Sequence, residues 1–162
     1  HFAALTLGSG AVAAMLTHSS VSKTGHQVIG HVNEADTRHR NLCLGNRTEM
    51  TVQARPLMEA GVSLANRTWQ KCQEVFGWSD DKIDLYVGHQ VGRRHYEVLF
   101  SSLGLNQANS FVTYPFLGNV GPASVPLTLA LAEEAGKLRP GSRIALMGIG
   151  SGLHCSMMEV RW

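Results

Sequence analysis

The chain has 162 residues, of which 44% are apolar and 16% are charged, and its formal net charge at pH 7 is +2. A chain of this length fits one domain and buries roughly 68–70% of its unfolded surface, so this composition argues against disorder. The basic stretches at residues 38–40 and 93–94 are too short to indicate a nucleic-acid site. No apolar run approaches the roughly 20 residues that a membrane span needs, so we expect neither kind of partner.

The hydrophobic pattern alternates between strand-like and helix-like segments along the chain. It predicts strands over residues 10–17, 27–34 (more polar, near a sheet edge), 83–88, 111–114, 143–148 and 155–162. A long amphipathic helix is predicted over residues 51–76, and shorter helices over residues 92–103 and 122–135. Gly77, Gly104 and Gly136 are natural ends for these helices, whereas Pro56 and Pro122 suit their first turns.

The connections complete the prediction of the fold class. Residues 36–49 are polar and irregular, and the Gly-rich segment 148–152 joins the last two strands as an apparent hairpin. Strands that alternate with helices predict an α/β layered fold, and the terminal hairpin makes its sheet mixed. We therefore expect five of these six strands to form one mixed sheet, a five-stranded sheet flanked by helices.

Two further features concern the cellular setting and the completeness of the chain. The sequence opens on His1 without a Met and runs almost at once into an apolar segment, from which we expect that upstream residues are missing. Its three cysteines, Cys43, Cys72 and Cys155, are widely spaced and form no CxxC pair. Such spacing favours free thiols in a reducing cytosol over a disulfide scaffold, so we expect a cytoplasmic protein.

Two polar side chains stand at junctions between an apolar run and a helix-like run. His89 follows the strand predicted over residues 83–88, and ligands of α/β proteins usually bind at the carboxyl ends of strands. Asn119 precedes the helix predicted over residues 122–135. A lone histidine is more often structural than catalytic, and an asparagine before a helix is most often a cap, so both interpretations stay open.

The Gly-rich segment 148–152 admits a functional and a structural interpretation. Glycines let backbone N–H groups approach a ligand closely, but they also form tight hairpins. The segment lacks a Walker pattern and lies between two strands, so a dinucleotide site is not expected. His89 and His95 are six positions apart with no carboxylate cluster nearby, and we therefore predict no metal site.

Motifs in order along the chain carry a family resemblance. They are Leu5-Thr6-Leu7-Gly8-Ser9-Gly10, His89-Gln90-Val91, Gly118-Asn119-Val120-Gly121-Pro122-Ala123-Ser124-Val125-Pro126 and the segment 144–153. Together they resemble the C-terminal half of thiolase-superfamily condensing enzymes, and the nearest type is β-ketoacyl-ACP synthase III. Within that type the chain looks most like the long-chain acyl-CoA condensing enzymes that start bacterial olefin synthesis. The resemblance spans essentially the whole chain and implies a thiolase-like layered fold.

The resemblance implies a Cys–His–Asn site for Claisen condensation. The cysteine accepts an acyl group from a thioester, and His and Asn hydrogen-bond the second thioester carbonyl and stabilise its enolate. By motif position His89 and Asn119 take these two roles. The backbone N–H of Ser151 contributes to an oxyanion hole, within a substrate-pocket loop that includes Gly150 and Gly152.

The resemblance also implies the substrates and their carriers. Acyl groups would arrive on the phosphopantetheine of CoA or ACP, with no separate cofactor, in fatty-acid or lipid metabolism. Residues 36–47 either contact the phosphate of this carrier or form an ordinary surface loop.

The family's nucleophilic cysteine belongs to an N-terminal half that this chain lacks. Cys72 and Cys155 fall on apolar patterns typical of a core, and no motif around Cys43 resembles a nucleophile site. We therefore expect residues 1–162 to be a C-terminal half-domain, inactive alone, whose complete protein is a homodimer. The alternative is a non-catalytic subunit or scaffold domain that shapes an acyl-binding pocket for a partner chain. An α/β hydrolase is excluded because no GxSxG nucleophile elbow is present.

Overall fold

The computed structural model describes residues 5–23 and 25–162 of the chain. Its strands are β1 (Gln27–Ala35), β2 (Cys43–Gly45), β3 (Met50–Val52), β4 (Leu85–Gly88), β5 (Arg143–Gly150) and β6 (His154–Arg161). Its α-helices are α1 (Ala54–Phe76), α2 (Arg93–Leu103), α3 (Tyr114–Leu117) and α4 (Ser124–Glu134). The main sheet has the order β1-β6-β5-β4, in which β4 and β5 are parallel and the other neighbours are antiparallel. The predicted mixed sheet is confirmed, and β1 lies at its edge as expected.

Helices cover both faces of the main sheet, because successive residues of a strand point to opposite faces. Tyr86 of β4 packs into a cluster that includes side chains of α1 and α2. Its neighbours Leu85 and Val87 pack into a second cluster, which includes Ala132 of α4. The first cluster is the larger one and also contains Leu64, Ala65, Trp69, Cys72, Phe100, Ala145, Met147, Cys155 and Met157. The result is an α/β/α layered arrangement.

The helices begin and end close to the predicted positions. α1 begins at Ala54 rather than at residue 51, because β2 and β3 pair as an antiparallel hairpin just before it. That hairpin and a 3-10 helix over Thr37–Leu42 give regular structure to a segment that was predicted to be irregular. Gly77 ends α1 in the left-handed conformation with φ of 63°. Within residues 5–23 and 25–162, no helix is long and apolar enough to cross a membrane.

Two of the predicted strands do not join the main sheet, and the first of them is the segment 10–17. The part of the chain that the structure describes forms a four-stranded main sheet rather than the predicted five-stranded one. Residues 10–17 form no regular secondary structure, and all of them are exposed. A strand exists only where a neighbour pairs its backbone, and the nearest ladder contact is a single bridge between Leu7 and Asn119.

The second predicted strand, over residues 111–114, is held by a side chain instead of a ladder. The Oε1 atom of Gln90 accepts hydrogen bonds from the N–H groups of Thr113 at 2.7 Å and Tyr114 at 2.9 Å. Its Nε2 donates to the carbonyl of Phe111 at 3.0 Å. Because one buried amide satisfies these three backbone groups, the segment runs beside β4 without extending the sheet.

A buried ion pair stabilises the end of the sheet far from the β5–β6 turn. Glu159 of β6 is 2% exposed and accepts hydrogen bonds from Arg143 at 2.9 and 2.7 Å. The indole N–H of Trp78 donates to the same carboxylate at 2.7 Å. Removal of one partner from such a pair leaves an uncompensated buried charge, which costs about 3–5 kcal/mol.

Candidate active site

His89 lies at the carboxyl end of the parallel β4–β5 pair. The strand β4 is entirely buried and ends at Gly88. His89 continues its ladder by one residue, because its N–H donates to the carbonyl of Met147 at 2.7 Å. The next residue is also fixed, since the N–H of Gln90 donates to the buried Ser124 hydroxyl at 3.1 Å. The sheet therefore places His89 in the kind of crevice where α/β proteins bind ligands.

The imidazole of His89 is held in its neutral form. Burial lowers the pKa of His89 below its ordinary value of 6.5. A hydrogen bond to the backbone of Gly121 opposes this shift, and the charge of nearby His95 reinforces it. At pH 7 the ring is therefore neutral and offers one N–H donor and one acceptor nitrogen.

The carboxamide of Asn119 is oriented by its own backbone. Its Oδ1 accepts a hydrogen bond from the N–H of Gly121 at 3.0 Å. Since only the oxygen of an amide can accept, this bond decides which way the group faces and leaves Nδ2 as the outward group. Among the described residues, no protein group accepts a hydrogen bond from Nδ2. A local hydrogen bond to the backbone, of the kind that a capping asparagine makes, and an available donor therefore coexist in one side chain.

The backbone of Asn119 is clamped by the N-terminal segment of the chain. Its N–H donates to the carbonyl of Thr6 at 2.8 Å, and its carbonyl accepts from the N–H of Gly8 at 2.9 Å. The N-terminal segment thus crosses the chain at Asn119, and glycine is required in both segments at this crossing. A Cβ on Gly118, whose φ is 66°, would lie 2.6 Å from the Thr6 carbonyl oxygen, and one on Gly8 would lie 1.9 Å from that of Leu117. The sequence motifs contained these glycines, but the crossing itself was not predicted.

The structure brings His89 and Asn119 together through Gly121, which hydrogen-bonds both side chains. Gly121 has φ of 59° and begins the short 3-10 helix Gly121–Ala123 that leads into α4. No sequence argument identified this residue as the link. Its position within the Gly118–Pro126 motif was the available signal.

The Gly-rich loop proves to be mostly strand, with a tight turn at its end. β5 continues to Gly150, three positions past the Met147 that pairs with the last residue of β4. Ser151 and Gly152 therefore lie beyond His89 at the same edge of the sheet. Ser151 is exposed, Gly152 has φ of 128°, and the peptide bond that follows Gly152 is cis. Within the described ranges no hydrogen bond joins Ser151 to His89 or Asn119.

A groove of about 540 Å³ opens between the first turns of α1 and α2. Its lining residues are Ala54, Arg55, Met58, Glu59, Arg94 and His95. The groove reaches the first turn of α2, which begins four residues after His89. Sequence reasoning missed it, although the run Arg93-Arg94-His95 directly after the His89 motif was a usable signal. Among the described residues, no group of three or more possible metal ligands is present.

The two core cysteines of this chain are poor nucleophiles. Cys72 is 0% exposed and Cys155 is 1% exposed, and both pack in the larger core cluster, as predicted. Burial raises the pKa of Cys72 to about 12, and the neighbouring Cys155 adds to the shift. Burial also raises the pKa of the Cys155 thiol. Cys43 is half-buried at the start of β2, where it pairs with Val52. A thiolate is therefore disfavoured at Cys72 and Cys155.

The comparison with known families defines the class of protein. Residues 74–162 match the family of 3-oxoacyl-(acyl-carrier-protein) synthase III C-terminal domains, and this segment contains both His89 and Asn119. The chain belongs to that family.

Individual proteins of known name are also similar to this chain. The chain is 41% identical over 160 residues to acyl-CoA:acyl-CoA alkyltransferase of Xanthomonas campestris pv. campestris, covering 99% of this chain and 47% of the relative. It is 37% identical to the Shewanella oneidensis protein of the same name, covering 99% of this chain and 49% of the relative. The crystal structure of a Xanthomonas campestris OleA variant superposes with a TM-score of 0.91 at 37% identity, covering 99% of this chain and 47% of that one.

These comparisons confirm the predicted resemblance and the thiolase-like fold class. The chain spans about half the length of the curated relatives that it matches. The expectation of a separate N-terminal half with the nucleophile stays a prediction, as do the roles of the site residues.

Proposed function

We propose that this chain supplies the His/Asn part of an active site that joins two acyl thioesters by Claisen condensation. The observation that carries the proposal is the orientation of Asn119. Its Oδ1 accepts from the N–H of Gly121, which leaves Nδ2 as the available donor, and the backbone of the same glycine hydrogen-bonds the neutral His89. A neutral donor suits an oxygen on which negative charge develops.

The proposed chemistry divides between this chain and a cysteine outside it. The cysteine thiolate attacks the first thioester and releases its carrier thiolate, which leaves an acyl-cysteine. A base takes a proton from the carbon next to the carbonyl of the second thioester, and this proton ends on the carrier thiolate released in the first step. His89 and Asn119 hydrogen-bond the resulting enolate oxygen. That carbon attacks the acyl-cysteine, a carbon–carbon bond forms, and the cysteine leaves as a thiolate. The N–H of Ser151, between Gly150 and Gly152, would stabilise the oxyanion of the attacked acyl group.

The carriers we propose are CoA thioesters, with ACP thioesters as the second choice and no separate cofactor. The names of the two alkyltransferase relatives specify acyl-CoA on both sides of the reaction, and one OleA structure holds lauric acid and lauroyl-CoA (40% identity, TM-score 0.86, covering 89% of this chain and 43% of that one). The groove between α1 and α2 is lined by Arg94, which could pair with carrier phosphates. Two other arginines already pair with carboxylates, Arg55 with Glu59 and Arg38 with Asp36.

The proposal extends to the whole protein. The buried Cys72 and Cys155 support a nucleophile outside this chain, so we expect the chain alone to be inactive. The complete protein would contain the N-terminal half and act as a homodimer in the cytoplasm.

The experiment uses the full-length protein with lauroyl-CoA, and mass spectrometry detects the β-ketoacyl product and free CoA. His89→Ala should abolish the product, whereas His31→Ala, which changes an exposed histidine on β1, should leave it unchanged. Equal activity of both variants would favour the alternative, a non-catalytic domain that shapes an acyl pocket. Release of CO₂ from malonyl-ACP would instead indicate a decarboxylative condensation.

A further inference from the structure

Asp36 connects the end of β1 to the turn that carries Ser151. Its N–H donates to the carbonyl of Leu153 at 2.9 Å, and its carbonyl accepts from the N–H of Leu153 at 3.1 Å. These two bonds continue the β1–β6 ladder past its last registered pair, Ala35 with His154. The turn is therefore tied to β1 at a point two residues from Ser151.

The carboxylate of Asp36 is itself held by two arginines. It is 7% exposed and accepts a bidentate pair of hydrogen bonds from Arg38, at 2.8 and 2.7 Å. Arg67, in the middle of α1, donates to it at 3.3 Å and also reaches Ser63 at 3.3 Å. The ring nitrogen Nε2 of His39 lies 3.8 Å away. Bidentate charge-assisted bonds fix direction as well as distance, so Asp36 cannot shift without breaking contacts to α1 and to the following 3-10 helix.

The turn needs such an anchor. Ser151 lies between Gly150 and Gly152, and Gly152 adopts φ of 128°, so the chain has few conformational restraints of its own at this point. Ser151 is also exposed, which means that packing does not hold it. Leu153, in contrast, is 3% exposed and belongs to the core cluster, so a restraint applied there reaches the turn through two peptide bonds.

We propose that Asp36 is a positioning residue, which holds the turn at residues 151–153 so that the Ser151 N–H meets the acyl oxyanion. This inference rests on the proposed function, because it gives that N–H a task in the reaction. Asp36 does not touch the substrate. It acts through Leu153 on one side and Arg67 on the other. Displacement of a catalytic donor by about 1 Å can cost on the order of 100-fold in rate.

The test compares variants of the full-length protein by kcat and KM for condensation of lauroyl-CoA, normalised to the amount of folded protein. Asp36→Asn keeps the side-chain shape but removes the charge that the two arginines bind. We expect its kcat to fall about 10- to 100-fold while KM changes less than about threefold, since the turn contacts the oxyanion rather than the carrier. Arg67→Gln removes only the link to α1 and should lower kcat by a smaller factor.

Glu159→Gln is the matched control. It also removes the charge of a buried carboxylate bound by a bidentate arginine, but at the far end of β6. It should destabilise the protein and leave kcat per folded molecule unchanged. A kcat for Asp36→Asn as high as that of Glu159→Gln would overturn the proposal. If Asp36→Asn does not fold, the kcat of Arg67→Gln tests the proposal instead. An unchanged kcat for Arg67→Gln would also overturn the proposal.

The same series separates this inference from the proposed function. An unsubstituted protein that makes no β-ketoacyl product would overturn both together. An active protein that loses activity with His89→Ala, but not with Asp36→Asn, would leave the proposed function standing and remove the positioning role alone.

Discussion

The side-chain oxygen of Asn119 accepts a hydrogen bond from the N–H of Gly121 at 3.0 Å. The backbone of Gly121 also hydrogen-bonds the imidazole of His89, which follows β4 and lies thirty positions before Asn119 in the chain. One glycine in the left-handed conformation therefore hydrogen-bonds both candidate side chains. The geometry makes four predictions for substitutions and conditions.

The first prediction concerns the two ends of the Asn119 amide. Asn119→Asp keeps an oxygen for the Gly121 N–H but replaces the Nδ2 donor with an anionic acceptor. We expect this variant to fold normally and to lose about 10²- to 10³-fold in kcat, because it repels the charge that a donor would stabilise. Circular dichroism and product formation by the full-length protein provide the measurement. A folded Asn119→Asp protein with normal kcat would exclude a donor role for Asn119.

The second prediction compares two glycines with positive φ but different ψ. Gly104 (φ 67°, ψ 32°) is in the left-handed helical region, whereas Gly118 (φ 66°, ψ −153°) is in a region open almost only to glycine, and a Cβ on Gly118 would also lie 2.6 Å from the Thr6 carbonyl oxygen. Gly104→Ala should cost about 1–2 kcal/mol from backbone strain alone. Gly118→Ala should cost about 1–3 kcal/mol more and displace Asn119. Urea unfolding measures both, and equal losses would contradict the crossing of the N-terminal segment.

The third prediction is a pH dependence of stability. Burial lowers the pKa of His89 in the folded protein below 6.5, so between the two values the unfolded chain binds more protons than the folded one. Stability therefore rises with pH through this window and is lost as pH falls below about 6.5. His95, whose pKa is lowered by burial and by Arg94, contributes in the same direction.

The measurement is the free energy of unfolding at pH 7.5 and pH 5.5. Between pH 7.5 and pH 5.5, His89→Gln should lose less free energy of unfolding than the unsubstituted protein does. His31→Gln, which changes an exposed histidine, should lose as much as the unsubstituted protein. An unchanged loss in His89→Gln would mean that this imidazole is not held neutral by the fold.

The fourth prediction is a pattern of thiol reactivity. Burial raises the pKa of Cys72 to about 12 and also raises that of Cys155, so neither thiol should react with iodoacetamide in the native protein at pH 8. Cys43 is half-buried and should be the one labelled first within this chain. Peptide mapping with Cys43→Ser as the control measures this order. Rapid labelling of Cys72 or Cys155 in the folded protein would reopen the search for a nucleophile here.

The sequence by itself determined the layers of the fold and the identity of the candidate residues. Strand β4 and helices α1, α2 and α4 follow from apolar periodicity and from glycine and proline signals, which act over a few neighbouring residues. The same local signals placed His89 after a buried strand and Asn119 before a helix. They overcounted the strands, because residues 10–17 and 111–114 look like strands whether or not a partner is present.

Only the tertiary structure decided how these residues are held. The Gln90 side chain that replaces a ladder and the crossing of Thr6 over Gly118 join residues far apart in the chain. The same holds for the hydrogen bonds that tie Asp36 to the turn after Ser151. Such contacts depend on where the whole chain places each backbone group in space, and no local pattern records that. The sequence thus supplied His89 and Asn119 as candidates, and the tertiary structure gave their side chains a shared backbone partner in Gly121.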